Sequence, residues 1–439
     1  MILDFTISNY RSIKNSQTLS FEATSDKHLE DYYVVKKGKY RILKIATILG
    51  PNASGKSNII KAFAMLHDLF LAPCTNKSSR IAYSKFALDA AMQKQDSQMI
   101  VNFICGEKKY HYEVTFNNRY VVSELLKCHP FDSLRAHTVY ERITDKETLM
   151  STIKWGGRYG MVIGARELNI NLLHNRTVFG AFQMSNVDIP WMKQILDWLS
   201  SYMLPIVRTT EQNLFEYTSE QVLQNPGEKQ MVASMLRKAD VGIQDFEIEK
   251  KNKEIPDRIL KMLMSNDEIS LETKNRIKDN PFAESIQVKM LHDSVEGGTF
   301  LDYNQESHGT HRYYELSGVL LQLILNAHFV AIDELDSRLH PDLYRHFIIT
   351  YLTNSKDSQM VFTTHMREFL ADKDEFRKDA VWFTEKNKNG ETELYSLADF
   401  DEKEFTSSRS NLYDAYRLGR FGGIPHLGDT FVNGRDYSN

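Results

Sequence analysis

The sequence is poor in the features that mark secreted, membrane-bound and disulfide-stabilised proteins. Its 3 cysteines are scattered and form no C-x-x-C pair, so we expect neither a zinc site nor a disulfide framework. No apolar run approaches the length of a membrane span, and the N-terminus lacks the basic and apolar segments of a signal peptide. These absences predict a cytoplasmic chain without a membrane partner.

An excess of one charge is also lacking. The chain has 54 basic and 58 acidic residues and a net charge of −4, so a nucleic-acid partner is not indicated by charge and would need a local basic patch. The candidate patches, residues 250–253 and 409–420, are each more typical of a solvated face. The length of 439 residues fits two or three domains, or one large domain with an insertion.

Residues 45–58 carry the strongest motif, IATILGPNASGKSN. An apolar, strand-like run leads into a segment that fits G-x-x-x-x-G-K-[ST], and a stretch with helical spacing follows. Glycines let the backbone wrap a polyphosphate, the lysine reaches the β- and γ-phosphates, and the serine hydroxyl binds Mg²⁺. The loop predicts a nucleoside triphosphate site with these residues: Gly50, Pro51, Asn52, Ala53, Ser54, Gly55, Lys56, Ser57 and Asn58.

Hydrophobic periodicity divides the rest of the chain into β-rich and helical stretches. Alternation with period two predicts a hairpin before the phosphate loop, a meander with a further strand pair after it, and strands towards the C-terminus. The stretch between them has helical spacing without sustained heptads, so no long coiled coil is expected. The predicted segments are a hairpin at 2–22, an irregular stretch at 23–40, a meander at 97–127, a strand pair at 138–155, helices between 185 and 282, a strand at 285–291, a turn at Gly297 and Gly298 into a strand at 299–303, and a hairpin at 385–396.

Two further apolar strands end in polar groups. The run 329–332 ends in Asp333 and Glu334, the Walker B arrangement, in which the first carboxylate holds Mg²⁺ and the second polarises an attacking water. The run 359–362 ends in Thr-Thr-His, and His365 could donate a hydrogen bond to the γ-phosphate. An exposed histidine in a strand-to-helix turn explains the same pattern equally well.

The order of phosphate loop, long insertion, Asp-Glu strand and Thr-Thr-His strand resembles an ABC-type ATPase head of the SMC and RecF-like group. The opening ISNYRS resembles that group's first strand, and GPNASGKSN resembles its Walker A motif. The segments DELDSRLHP, FTTH, DAVWFTEK, KADVGI and YRLGRFGGIP more narrowly resemble the stand-alone AAA/ABC-type ATPases of abortive-infection and restriction-linked phage-defence loci. The resemblance covers most of the chain outside the helical insertion.

This resemblance implies an α/β fold: an ABC-type ATPase head, in which a mixed sheet with a P-loop core is joined to an antiparallel β subdomain and carries a mainly helical insertion. The implied parts are an N-terminal lobe at 1–184, the insertion at 185–284, a C-terminal lobe at 285–400 with signature-like loop, Walker B and H-loop, and a tail at 401–439.

The resemblance also implies roles for individual residues. Lys56 and Ser57 would bind phosphate and Mg²⁺, and Asp333 would hold the metal. Glu334 would be the general base, and His365 would be the switch histidine. Asp336 would lie in the D-loop.

A signature-like loop, 307–310, precedes a helix-compatible stretch at the position expected before Walker B. Its Ser307 and Gly309 would cap the γ-phosphate of a second subunit, although His308 replaces the first glycine of the common L-S-G-G form. The glutamine of the Q-loop is not singled out; Gln93, Gln95 and Gln98 lie in a suitable region.

The resemblance implies an ATPase that uses ATP and Mg²⁺ and closes as a homodimer or a higher oligomer of dimers. The chain after His365 is too short for an appended TOPRIM nuclease, and no H-N-H or clustered D-x-D motif is present. We therefore expect a sensor subunit of an anti-phage system, responding to a phage-derived trigger protein and acting through a separate effector, a nuclease. The alternatives are a DNA-repair or chromosome-handling clamp that binds DNA, and a scaffold in which ATP only sets assembly.

Overall fold

The computed structural model describes residues 1–133, 135–161, 164–208, 214–239, 241–266, 269–295, 297–372, 374–400 and 412–425. Part of KADVGI and most of the predicted tail domain, 401–439, lie outside these residues. The chain forms two compact units. Unit 1 comprises Met1–Thr210, Asn326–Ser337 and Leu352–Asn439, and unit 2 comprises Glu211–Leu325 and Arg338–Tyr351.

The strands of the described residues range from 4 to 13 residues in length. They are β1 (Ile2–Ser8), β2 (Gln17–Ser20), β3 (Val34–Lys37), β4 (Tyr40–Leu43), β5 (Ile45–Leu49), β6 (Ser97–Cys105), β7 (Lys108–Phe116), β8 (Val121–Pro130), β9 (His137–Thr144), β10 (Ser151–Trp155), β11 (Ile243–Glu254), β12 (Phe282–Ser294), β13 (Gly297–Asp302), β14 (Phe329–Ile332), β15 (Gln359–Thr363), β16 (Val381–Lys386) and β17 (Thr392–Ser396).

The helices of the same residues include one long helix directly after the glycine-rich loop and one before β14. They are α1 (Glu30–Tyr33), α2 (Lys56–Leu71), α3 (Ala90–Lys94), α4 (Ala165–Asn171), α5 (Val178–Gln183), α6 (Pro190–Tyr202), α7 (Leu214–Gln224), α8 (Pro226–Lys238), α9 (Asp257–Ser265), α10 (Leu271–Asp279), α11 (His308–Leu325), α12 (Pro341–Asn354) and α13 (Leu412–Arg417). Across the described residues, no helix combines the length and apolar character needed to cross a lipid bilayer.

The glycine-rich loop follows β5, which is the middle strand of a five-stranded sheet in unit 1. The strand order of this sheet is β14-β15-β5-β16-β17. The first four strands are parallel, and β17 returns antiparallel to β16. Every residue of β5, β14 and β15 is buried, as expected for central parallel strands that are covered on both faces. Because these strands are parallel, their carboxyl ends lie at one edge of the sheet.

The second sheet of unit 1 is antiparallel and has seven strands in the order β10-β9-β8-β7-β6-β1-β2. It contains the hairpin, meander and strand pair predicted from the alternating pattern. A buried ion pair joins two of its strands, with Arg142 Nη1 3.0 Å from Glu124 Oε2. Glu124 also accepts hydrogen bonds from the Tyr112 hydroxyl (2.9 Å) and from the backbone N–H of Val178, at the start of α5 (2.9 Å).

Unit 2 combines the antiparallel sheet β11-β12-β13 with helices α7, α8 and α11. Aromatic contacts form much of its core: the rings of Phe215 and Tyr303 are 4.6 Å apart, and those of Phe246 and Tyr314 are 5.5 Å apart. Helices α9 and α10 lie between β11 and β12 in the sequence and bury none of their side chains.

The local structure differs from the sequence expectations in three places. The stretch 23–40, predicted to be irregular, contains α1, β3 and the first residue of β4. The predicted helical insertion also contains β11, whose polar outer half pairs with β12 as far as Glu254 opposite Phe282. Gly297 and Gly298 lie in β13 rather than in a turn, and a Cβ at Gly298 would be 2.5 Å from Leu291 Cδ1. Glycine there permits close packing between strands.

Candidate functional site

The glycine-rich loop, Asp333, Glu334 and His365 come together because β5, β14 and β15 end at the same edge of the sheet. In the parallel register Ile332 is opposite Phe362, and Thr363 is opposite Ile48. The polar residues that follow these three strands are thereby brought to one place. This is the juxtaposition predicted for the phosphate loop and the Walker B strand.

The loop has a conformation that requires glycine at its end. Gly55, the residue before α2, has φ +113°, and a Cβ at this position would lie 2.1 Å from Thr392 Oγ1. Such a φ is strained for residues other than glycine. The Thr392 hydroxyl donates to the backbone oxygen of Ser54 (2.8 Å), and the Ser54 hydroxyl lies 2.6 Å from Thr384 Oγ1. The β16–β17 hairpin therefore holds the loop from outside.

Lys56 is buried with its ammonium group facing the loop. Its Nζ donates to the backbone oxygens of Gly50 (2.7 Å) and Pro51 (3.0 Å). Burial lowers the pKa of Lys56, and the carboxylates of Asp333 and Glu334 oppose this shift. In this arrangement the ammonium group occupies the loop, where a triphosphate would supply stronger, negatively charged acceptors.

A hydroxyl and a carboxylate meet at the start of α2. Ser57 Oγ donates to Asp333 Oδ1 (3.0 Å), which also accepts from Thr363 Oγ1 (2.7 Å). Among the described residues, no cluster of three or more His, Cys, Asp or Glu side chains could hold a metal unaided. Mg²⁺ commonly takes only one or two protein oxygens and completes its shell with water and phosphate oxygens, so Ser57 and Asp333 fit that requirement.

Glu334 has a strained backbone. Its φ is +52°, in the left-handed region that residues with a Cβ rarely adopt, and its N–H donates to Thr363 Oγ1 at 2.7 Å. Strain of this kind persists where the surrounding contacts enforce it, and it is concentrated at functional sites. Thr363 thus contacts both residues of the acidic pair: the Asp333 carboxylate and the Glu334 backbone.

His365 and Asp336 are joined by a hydrogen bond. The backbone N–H of His365 donates to Asp336 Oδ2 (3.2 Å), whereas Asp336 Oδ1 is buried and has no partner among the described residues. Loss of hydration lowers the pKa of the His365 imidazole, and the nearby Lys56 ammonium lowers it further, against the raising effect of Asp336, Glu334 and Asp333. The net shift favours the neutral form of the imidazole.

A cavity of about 720 Å³ adjoins the loop. One wall is the loop itself from Gly50 to Ser54, and a second is formed by Thr364, His365, Arg367 and Glu368. Glu385 and Lys386, at the end of β16, and residues near the C-terminal end of the described chain complete it. The cavity has room for a polar ligand group beside the loop and His365.

The signature-like loop lies in unit 2, at the start of α11. Ser307 Oγ accepts a hydrogen bond from the N–H of Thr310 (3.1 Å) and lies 2.9 Å from its hydroxyl, so Ser307 caps the helix. The side chain of Ser307 is exposed, and a Cβ at Gly309 would meet only ordinary contacts, 3.4 Å from the Arg338 oxygen. The loop presents the amino end of a long helix to solvent.

The structure adds four hydroxyl residues that sequence reasoning did not assign to the site: Ser12, Thr363, Thr384 and Thr392. Ser12 Oγ lies 2.7 Å from Thr392 Oγ1 and accepts from the Asn58 amide at 2.6 Å. Ser12, Thr363 and Thr384 stood inside motifs that were noticed, ISNYRS, FTTH and DAVWFTEK, whereas Thr392 lay only in the predicted hairpin at 385–396. Of the glutamines considered for a Q-loop, Gln98 donates to Glu113 Oε1 (2.6 Å) and Gln93 to the oxygen of Phe86.

Residues 213–371 match the AAA_21 family model, described as "AAA domain, putative AbiEii toxin, Type IV TA system". The matched residues include Asp333, Glu334 and His365, and the phosphate loop lies before them. No curated protein matches the chain.

Three solved structures of SMC heads are similar to the chain. An SMC head bound to the C-terminal winged-helix domain of ScpA is 12% identical, with 92% of this chain and 99% of that chain covered and a TM-score of 0.43. The SMC head domain from Thermotoga maritima is 13% identical, with coverages of 90% and 98% and a TM-score of 0.37. An SMC head with an extended coiled coil, bound to the C-terminal domain of ScpA derived from Pyrococcus furiosus, is 12% identical, with coverages of 96% and 98% and a TM-score of 0.31.

The sheet order, the glycine-rich loop beside the acidic strand end, and the match to an AAA domain agree with one another. Residues 213–371 match an AAA domain, and the mixed α/β fold with its parallel sheet bearing the glycine-rich loop is the fold expected of an ABC-type ATPase head.

Proposed function

We propose that this chain is an ATP-binding and ATP-hydrolysing sensor subunit of a bacterial anti-phage defence system. The observation that carries the proposal is the contact of Ser57 with Asp333 at 3.0 Å, which joins the phosphate loop to the acidic strand end. Lys56 and the N–H groups of the loop would bind the β- and γ-phosphates. The oxygens of Ser57 and Asp333 would hold Mg²⁺, which supplies charge neutralisation to the phosphates.

In this proposal Glu334 acts as general base. Its carboxylate accepts a proton from a water molecule as the water oxygen bonds to the γ-phosphorus. The bond from the γ-phosphorus to the bridging oxygen breaks, and ADP keeps the electron pair. The neutral His365 donates a hydrogen bond to the γ-phosphate, which fixes the position of the transferred group.

ATP binding would cause the chain to dimerise. Ser307 is exposed and Gly309 is half-buried at the amino end of α11, where N–H groups favour anions. We propose that this loop caps the γ-phosphate bound by a second copy, so that two ATP molecules are enclosed between two chains. ATP would stabilise the closed dimer through contacts made only in that state, and hydrolysis would open it. Higher oligomers would be built from such dimers.

The defence role is supported by the description of the matched family, which reads "putative AbiEii toxin, Type IV TA system", and by the phage-defence resemblance of the motifs. A phage-derived protein would trigger the ATPase, and a separately encoded effector, a nuclease, would act on the cell. The purified chain should therefore hydrolyse ATP and leave DNA and RNA intact. Metal-dependent cleavage of either nucleic acid by the chain alone would contradict this assignment.

The DNA-clamp alternative is distinguished by salt dependence. The patch 250–253 is locally neutralised, because Lys250 lies 3.3 Å from Glu284 and Lys251 pairs with Glu249. We expect duplex DNA to leave the ATPase rate unchanged at low salt. Stimulation that falls steeply as salt is raised would favour the clamp instead.

A further inference from the structure

The residues 412–425, which we call the hook, run from α13 through a glycine-rich turn and are anchored in unit 1. Phe421 is 2% exposed and packs in a cluster with Phe383 and Leu370. The Tyr395 hydroxyl of β17 donates to the backbone oxygen of Phe421 at 2.7 Å. The hook is thus fixed to β16 and β17, the hairpin whose threonines hold the phosphate loop.

The turn of the hook leaves no space for a side chain. Gly422 has φ +67°, and a Cβ there would lie 2.4 Å from Glu385 Oε2. The N–H of Gly423 donates to the same oxygen (3.2 Å), and the Tyr416 hydroxyl donates to the Gly423 oxygen (2.7 Å). Tyr416 therefore closes the hook on itself, and Glu385 joins it to the end of β16.

The hook also contacts the chain that follows His365. Helix α13 packs on the 3₁₀ turn Glu368–Ala371, and the Arg367 guanidinium lies 6.0 Å from the ring centre of Tyr413. This distance is that of a cation–π contact. One residue, Met366, separates Arg367 from His365, so the hook fixes the far end of a short segment that carries the histidine.

The hook, the His365 segment and the phosphate loop all line the cavity beside the loop. Tyr416, Ile424 and Pro425 of the hook line the same cavity as His365 and the loop residues from Gly50 to Ser54. A shift of the hook changes the wall opposite the loop and the support of the histidine segment together. The P-loop lysine and the Ser57–Asp333 pair do not line this cavity.

We propose that the hook is a positioning element for His365, with Tyr416 as its main positioning residue. It sets the distance between the histidine and the γ-phosphate, so it acts on hydrolysis while leaving the binding of the nucleotide to the loop and α2. This inference rests on the proposed function and adds to it a set of residues outside the nucleotide motifs.

The first test is Tyr416→Phe, which keeps the ring and removes the hydroxyl bound to the Gly423 oxygen. Because one hydrogen bond is lost, we expect ATP affinity to stay within about twofold and kcat to fall by roughly two- to tenfold. Leu418→Ala is the matched control: Leu418 lies in the hook, is 65% exposed and does not line the cavity. It should keep the wild-type kcat.

A double-mutant cycle with His365→Ala separates positioning from general loosening. In the His365→Ala background, Tyr416→Phe should cause no further loss of kcat, because there is no imidazole left to position. An equal loss in both backgrounds, or a parallel loss of ATP affinity, would overturn the inference.

A second measurement needs no hydrolysis. Arg417 and Arg420 are exposed in the hook and are trypsin sites. A non-hydrolysable ATP analogue should slow cleavage at both sites in the wild type, and it should bind His365→Ala without slowing cleavage. Equal protection in His365→Ala, or none in the wild type with analogue bound, would overturn the inference alone. Failure of the analogue to bind the wild type would overturn the proposed function and the inference with it.

Discussion

At the scale of the residue, the geometry around Thr363 separates the two acidic neighbours. Its hydroxyl donates to the Asp333 carboxylate and accepts from the Glu334 N–H, so Asp333 faces Ser57 while the Glu334 backbone is held in a left-handed conformation. In the proposed mechanism the two adjacent carboxylates thereby have different tasks: Asp333 would hold Mg²⁺ with Ser57, and Glu334 would act on water.

Glu334→Gln should lower ATP hydrolysis at least about a hundredfold, because general-base catalysis contributes roughly 10²–10⁴ to a rate. The amide keeps the shape of the site, so ATP should stay bound and hold the closed dimer. Single-turnover hydrolysis and retention of labelled ATP check this. Glu393→Gln, on the exposed face of β17, is the control with wild-type turnover. A Glu334→Gln protein with the wild-type rate would remove Glu334 as base.

The lowered pKa of His365 predicts a pH dependence of stability. The folded chain binds this proton less tightly than the unfolded chain, so stability rises with pH between the lowered pKa and the ordinary value of about 6.5. The wild type should therefore lose unfolding free energy faster than His365→Gln as the pH falls below about 6.5. Chemical denaturation from pH 7.5 to 5 measures the difference, with His340→Gln, at an exposed histidine, as control. Parallel pH profiles for wild type and His365→Gln would contradict the prediction.

At the scale of the element, motifs and periodicity predicted strands and helices, but they did not predict which elements contact each other. The strands β5, β14 and β15 could be read from apolar runs that end in polar residues, and α2 from its helical spacing. The β16–β17 hairpin was predicted, but its support of the phosphate loop was not, because the contact of Thr392 with Ser54 joins residues 338 positions apart. Sequence periodicity reports which face of an element is buried, and it does not report what that face touches.

The antiparallel sheet offers the clearest stability prediction. Burial raises the pKa of Glu124, while the Arg142 guanidinium and the Val178 N–H oppose the shift. Glu124→Gln would leave Arg142 as a buried cation without its counter-charge, at a cost of about 3–5 kcal/mol of unfolding free energy. Urea denaturation should show this loss. Glu141→Gln, at an exposed position of β9, should change the free energy of unfolding by less than about 0.5 kcal/mol. Equal effects would show that the buried pair contributes nothing specific.

At the scale of the whole molecule, the proposed dimer is tested by complementation. Lys56→Ala should fail to bind ATP, and Ser307→Arg should bind ATP without capping a partner's nucleotide, so each alone should be inactive. In an equal mixture, half the dimers pair the two variants, and one of their two sites is intact. Activity should then recover to about a quarter of the wild-type rate.

The readouts for this mixture are ATP turnover and molar mass by light scattering with and without ATP. A mixture of Lys56→Ala with Lys56→Glu is the matched control and should stay inactive. Failure of the first mixture to recover, while ATP still induces dimers of the wild type, would show that Ser307 has no role across the interface.

The contacts of the phosphate loop with Thr384 and Thr392 have a consequence for biosynthesis. The two threonines that hold the loop belong to β16 and β17, and they follow it by some 330 residues. Until these two strands have been synthesised, a nascent chain carries the loop without their support. Under the proposed function, nucleotide capture and pairing between chains would become available only after β16 and β17 have closed on the loop.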